Sequence, residues 1–222
     1  MHICLFDIDG TLLKSGGAGK AAIEAALVED FGVTLRTNVS YSGRTDPAIG
    51  RDLLQFHDVD ATPENWQRLI EGYLARLPAA LAKHDGEILP GIAALLELLS
   101  EREDVAVGLL TGNIHRGAQA KLSHFDLWHY FAFGGFGDKH FDRDDVAREA
   151  LTAIRSRFDG TVATERIFVI GDTPLDVRCA RAIGARAVAV ATGWHTPDQL
   201  APSEPDLLLD DLADAEPLLR LL

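Results

Sequence analysis

The chain has 222 residues, 47% of them hydrophobic, and a formal net charge of −13, enough length for one large domain or for a core with a smaller insert. That charge argues against nucleic acid, which calls for clustered Lys and Arg, and against an anionic membrane surface. No apolar run approaches the roughly 20 residues of a membrane span, and the opening MHICLFDIDG lacks the basic start and small-residue cleavage site of a secretory signal. A soluble, cytoplasmic protein is expected.

The first apolar segment, residues 3–8, is strand-length and ends in Phe6-Asp7-Ile8-Asp9-Gly10-Thr11. Between about residues 14 and 87 the pattern becomes helical, over 21–31, 47–56 and 63–81, with no comparable strand. This stretch reads as a helical insert, jointed by Gly16, Gly17 and Gly19 on one side and by Asp85-Gly86 and Pro90-Gly91 on the other. Beyond it, strand-length runs at 105–110, 166–170 and 187–191 alternate with helix-length stretches at 92–100, 115–125, 144–157 and 174–183. A short strand is expected at 206–209, and a long, charged, glycine-bearing loop at 133–145. Near-continuous apolar strands alternating with helices predict a parallel α/β sheet, Rossmann-like, with helices on both faces. Residues 1–14 and 87–222 would form this core, and residues 15–86 the all-helical insert. Cys4 and Cys179 have no framework or metal-site spacing and read as buried hydrophobes.

Polar residues gather where the strands end. Asp7 and Asp9, two apart on an extended segment, point to one side of the sheet's carboxyl edge, where open parallel sheets bind ligands. Such a pair can divide nucleophilic or metal-holding work from proton transfer. The second long strand ends in Leu110-Thr111-Gly112-Asn113, offering a hydroxyl and backbone amides to an oxyanion. The third ends in Gly171-Asp172-Thr173-Pro174-Leu175-Asp176. Each motif taken singly is compatible with helix capping. Three at successive strand ends converge on one crevice, and carboxylates crowded there require a hard divalent cation.

These residues closely resemble those of the haloacid dehalogenase superfamily of phosphatases, over essentially the whole chain. The resemblance makes Asp7 the nucleophile and Asp9 the acid/base, with Gly10 letting the backbone turn beside the substrate. Thr111, with the Gly112 and Asn113 amides, would hold the phosphoryl group. Mg²⁺ would be held by Asp7, Asp172 and the Asp9 carbonyl, with Asp176 at the second acidic position of the same motif. The insert then resembles the mobile cap of phosphoglycolate phosphatases and β-phosphoglucomutases. The family's basic residue has no Lys-Pro here; Arg143, Lys121 and Lys139 all remain open for it. Arg44, in the loop 42–47, is the candidate substrate contact of the cap. The implied activity is Mg²⁺-dependent hydrolysis of a small phosphomonoester, by a monomer or homodimer. A sugar phosphomutase and a non-catalytic binding protein on the same scaffold are the alternatives. The histidines at 115, 124, 129 and 140 have no metal-ligand spacing, and Trp128, Trp194 and Phe133 are expected to fill gaps between helices and sheet.

Overall fold

The first apolar run becomes β1 (His2–Phe6), one residue pair shorter than its hydrophobicity suggests, because the chain turns at Asp7. In the computed structural model, which describes residues 1–36 and 39–222, β1 lies inside a six-stranded parallel sheet of order β5-β4-β1-β6-β7-β8. The other strands are β4 (Val105–Leu110), β5 (Gly134–Gly135), β6 (Ile167–Gly171), β7 (Arg186–Val190) and β8 (Leu207–Leu209). All five expected strands fall within a residue or two of their apolar runs. The sixth member of the sheet, which sequence could not offer, is β5, two glycines at the edge, inside what reads as a continuous loop.

Alternation along each strand divides the core between two faces. Cys4, Phe6, Phe168, Ile170, Val188 and Val190 pack on one side, with α4 (Ile92–Ser100) and α5 (His115–His124). Ile3, Leu5, Ile167, Val169, Ala187 and Ala189 pack on the other, with α6 (Arg143–Arg157) and α7 (Pro174–Ala182). Two short helices, α8 (Pro197–Leu200) and α9 (Glu216–Leu219), complete the C-terminal part. This α/β architecture, with helices on both faces of a parallel sheet, is the expected one.

The stretch after β1 builds a third hydrophobic cluster from α1 (Ala18–Phe31), α2 (Asp46–Phe56) and α3 (Pro63–Lys83). Ile23, Leu27, Leu53, Leu69, Tyr73 and Leu77 are its centre. Local signals start two of these helices: Thr45 Oγ1 accepts from the Ala48 amide, and Thr62 Oγ1 from the Asn65 amide, each followed closely by a proline. The chain leaves and re-enters through an antiparallel two-residue ribbon, β2 (Leu13–Lys14) against β3 (Glu87–Ile88). Sequence gave no hint of it, since two-residue strands carry no periodicity. Among the described residues no helix is long and apolar enough to cross a membrane, and both cysteines are buried and free.

Candidate active site

β1 pairs in parallel with β4 on one side and β6 on the other, so the ends of these three strands lie side by side. Asp7 follows β1, its amide donating to the Ile170 carbonyl at 3.0 Å. The Ile8 carbonyl then gathers the amides of Thr11, Leu12 and Leu13 into a tight turn. Gly10 sits in that turn at φ +87°, and a Cβ there would come within 2.6 Å of Asp172 Oδ2. Both the dihedral and the close approach reserve the position for glycine.

Asp7, Asp172 and Asp176 each offer an oxygen within 4.8 Å of the others, and all three are buried. Burial, with the neighbouring charge of Asp176, pushes the Asp7 carboxyl up to about 6 even though Arg143 opposes the shift. Burial, followed by Asp176 and Asp7, pushes Asp172 to about 8. The Arg143 guanidinium pairs with Asp176 and lies 3.4 Å from Asp7. The other Asp176 oxygen accepts from the Thr173 amide at 3.0 Å and the Thr173 hydroxyl at 2.7 Å, forming the capping box of α7. Asp176 is thus engaged on both oxygens, and Asp7 and Asp172 keep the free ones. Three buried carboxylates against one guanidinium, all hard oxygen donors, suit a divalent cation such as Mg²⁺.

The Asp9 carboxylate stands outside this cluster. It accepts from Lys121 Nζ at 2.5 Å and Asn113 Nδ2 at 2.9 Å. Burial works against its ionised form, but Lys121 and Asn113 outweigh it and hold the carboxyl below the usual range. Burial likewise works against the charge of Lys121, and Asp9 more than offsets it, so the ammonium is held charged. Asn113 joins the pieces: its Oδ1 accepts from Lys121 at 2.7 Å, and its Nδ2 also donates to Thr111 Oγ1 at 2.9 Å. The Asn113 amide donates to the same hydroxyl at 3.3 Å, leaving the Thr111 O–H proton to be donated elsewhere. Two of the three cations left open by sequence therefore attend different carboxylates, Arg143 at Asp7 and Lys121 at Asp9. Lys139 is exposed on a 3₁₀ turn.

The chain as a whole has known counterparts. The profile of haloacid dehalogenase-like hydrolases matches residues 4–190. The chain belongs to that family. Among its relatives is the phosphoglycolate phosphatase of Synechococcus elongatus, 28% identical over 96% of this chain and 95% of that one. The crystal structure of CbbY from Rhodobacter sphaeroides in complex with phosphate shares the fold with a TM-score of 0.76, at 21% identity and 96% of each chain. A hydrolase from Pseudomonas syringae does so with a TM-score of 0.74, at 21% identity over 99% of this chain and 98% of that one.

In this haloacid dehalogenase-like hydrolase the helical segment sits over the strand ends. The Asp46 amide donates to the Gly112 carbonyl at 2.8 Å, and Asp46 Oδ2 accepts from the Ile114 amide at 2.8 Å, at the start of α5. Thr45 Oγ1 also donates to the Phe141 carbonyl at 3.3 Å. Burial pushes the Asp46 carboxyl up to about 6, against the pull of Lys121. No signal in the sequence marks Asp46, because its partner is 68 residues away and Thr-Asp-Pro already reads as the start of α2. Beneath lies a cleft of about 870 Å³, including its open mouth, with Asp7, Asp9, Lys121 and Arg143 among its lining. Arg44 lines it too, but its guanidinium is occupied by Asp52 at 2.6 Å and by the Ser40 carbonyl at 3.0 Å.

Two of the three aromatic residues expected to fill gaps do so. Trp128 packs against one core cluster and Phe133 against the other. Trp194 does not: it is 88% exposed and lines the cleft. The expectation failed because a tryptophan beside an apolar strand usually packs down, whereas here the loop after β7 turns outward.

Proposed function

We propose that this hydrolase is a Mg²⁺-dependent, cytoplasmic phosphatase that cleaves a small phosphomonoester through a phospho-aspartate on Asp7. The observation that carries the reading is the separation of two carboxylates only two residues apart in sequence: Asp7 within the acidic cluster, Asp9 outside it against Lys121 and Asn113. Mg²⁺, held by Asp7, Asp172 and the Asp9 carbonyl, would supply positive charge to the phosphoryl oxygens. Asp176 braces Arg143 and α7 around that site.

An Asp7 oxygen attacks phosphorus, the P–O ester bond breaks, and the leaving oxygen takes a proton from Asp9. Asp9 needs that proton first. A phosphoryl dianion entering beside it opposes the influence of Lys121 and raises its affinity for a proton. Asp9 then withdraws a proton from water, whose oxygen joins phosphorus and frees the Asp7 carboxylate. Thr111 donates its remaining hydroxyl proton to a phosphoryl oxygen, and Lys121 and Arg143 stabilise charge from two sides. Residues 15–86 act as the cap that shuts water out, with the 43–46 turn as its point of docking.

The test is phosphate release from a panel of small phosphomonoesters, 2-phosphoglycolate included, with Mg²⁺ and with EDTA. Release that requires Mg²⁺ is expected. A folded protein that transfers phosphate between sugar positions without releasing it would contradict hydrolysis as the reaction.

A stability measurement checks the cation separately. Asp7 at about 6 and Asp172 at about 8 lie above the ordinary carboxyl value of about 4. Between those limits the folded, metal-free protein binds more protons than the unfolded chain, so its stability falls as pH rises from about 4 to about 8. Mg²⁺ takes the ionised cluster, so the rise in melting temperature on adding Mg²⁺ is expected to be larger at pH 8 than at pH 6. A Mg²⁺ shift that is absent, or larger at the lower pH, would contradict the assignment.

A further inference from the structure

The one large aromatic side chain exposed at the rim of the cleft, Trp194, has no partner in the proposed chemistry. It is more exposed than any other large hydrophobic side chain among the described residues, at 88% against 56% for Phe141. Isolated exposed hydrophobics need no explanation by themselves. This one stands on a segment fastened to the catalytic turn on one side and to a helix on the other. Thr192 Oγ1 donates to the Gly10 carbonyl at 2.6 Å. A Cβ on Gly193 would come within 1.7 Å of Asp172 Oδ2, so the backbone there lies directly against the acidic cluster. Past it, Thr196 opens α8 with a capping box, its amide donating to Gln199 Oε1 at 2.9 Å. Trp194 is thus held between two anchored points and still lines the cleft.

Adjacent Cα atoms are about 3.8 Å apart, so the indole is rooted one residue from the backbone that touches Asp172. The root of the indole therefore lies close to a carboxylate of the acidic cluster. The helical segment adds apolar Ile23, Ile49 and the Tyr41 ring to the wall of the cleft. A flat, anchored and solvent-facing indole is suited to stacking against a ring.

We propose that Trp194 is a specificity-determining residue on which a planar ring in the leaving group stacks, the ring lying one or two bonds beyond the ester oxygen. The preferred substrate class is then an arylmethyl or heteroarylmethyl phosphate rather than the monoester of a two-carbon acid. The inference rests on the phosphatase reading for its kinetic test and is independent of it for its binding test.

In the kinetic test, kcat/KM is measured for benzyl phosphate and for 2-phosphoglycolate. Trp194→Ala is expected to lower the benzyl phosphate value by roughly tenfold more than the 2-phosphoglycolate value, and Trp194→Phe to retain most of the preference. Equal losses on both esters, or no loss on either, would overturn the proposal. In the binding test, tryptophan emission is followed during titration of Asp7→Asn with each ester, beside the Asp7→Asn/Trp194→Phe double variant. Benzyl phosphate is expected to perturb an emission component that the double variant lacks, and 2-phosphoglycolate to leave that component unperturbed. Absence of that component's response overturns the role of Trp194 even if the protein turns over neither ester.

Discussion

Asp7→Asn is expected to lower phosphate release by roughly 10⁴-fold or more, at unchanged or higher thermal stability of the metal-free protein. The loss follows because an amide cannot act as the nucleophile, and the rest of the site cannot replace it: Asp9 is turned toward Lys121 and Asn113, and Asp172 accepts from Thr11 behind the Gly10 turn. The stability result follows from the same burial that pushes Asp7 up to about 6. Replacing the carboxylate by an isosteric neutral group removes a charge from the crowd of Asp7, Asp172 and Asp176 while keeping its shape. Parallel assays of phosphate release and melting with EDTA present check both halves. A variant that loses activity because it unfolds would not bear on the nucleophile.

Arg143→Met is expected to damage stability and activity together. Arg143 is the buried cation that pairs with Asp176 and reaches Asp7, and no lysine lies in its place. Removing one partner from a buried ionic cluster costs roughly 3–5 kcal/mol, which for a chain of this size is a fall of roughly 10 °C in melting temperature. Mg²⁺ is expected to restore part of that fall by taking over the uncompensated carboxylates. Catalysis should drop by roughly 10²-fold or more even with Mg²⁺ present, because a charge at the phosphoryl group has gone. Arg143→Lys keeps the charge without the fork that bridges two carboxylates, so it should fall between wild type and Arg143→Met. Melting curves of the three proteins with and without Mg²⁺ measure the stability part. Indifference of the Arg143→Met melting temperature would mean that the carboxylates are not held by this residue.

The parallel sheet was legible because its central strands are buried on both faces, and 105–110 and 166–170 are apolar runs of strand length that alternate with helix-length stretches. The β5 edge was not, since Gly134 and Gly135 carry no side chains and their pairing with β4 is purely backbone. The strand-end residues stood out for the same reason: Asp7, Thr111 and Asp172 interrupt apolar runs at equivalent places. What sequence could not resolve was the use of charge. Lys121, in the last turn of α5, is one of three candidate cations by sequence, and only the fold, which brings it across 112 residues to Asp9, shows which carboxylate it serves. Arg44 looked free to meet a ligand, and its engagement with Asp52 depends on a helical turn that starts after it. Trp194 reads as packing because strand-adjacent tryptophans usually pack, whereas the loop that carries it is anchored at Gly10 and Asp172 and leaves the indole exposed.

The phospho-aspartate is the central claim, and chemical trapping reaches it most directly. The enzyme is mixed with Mg²⁺ and 2-phosphoglycolate or benzyl phosphate, quenched during turnover, reduced with borohydride and digested for mass spectrometry. An acyl phosphate on Asp7 is reduced to homoserine, so homoserine at position 7, and not at positions 9, 172 or 176, is the expected result. Vigorous phosphate release with unmodified Asp7, or with homoserine at another position, would contradict the mechanism.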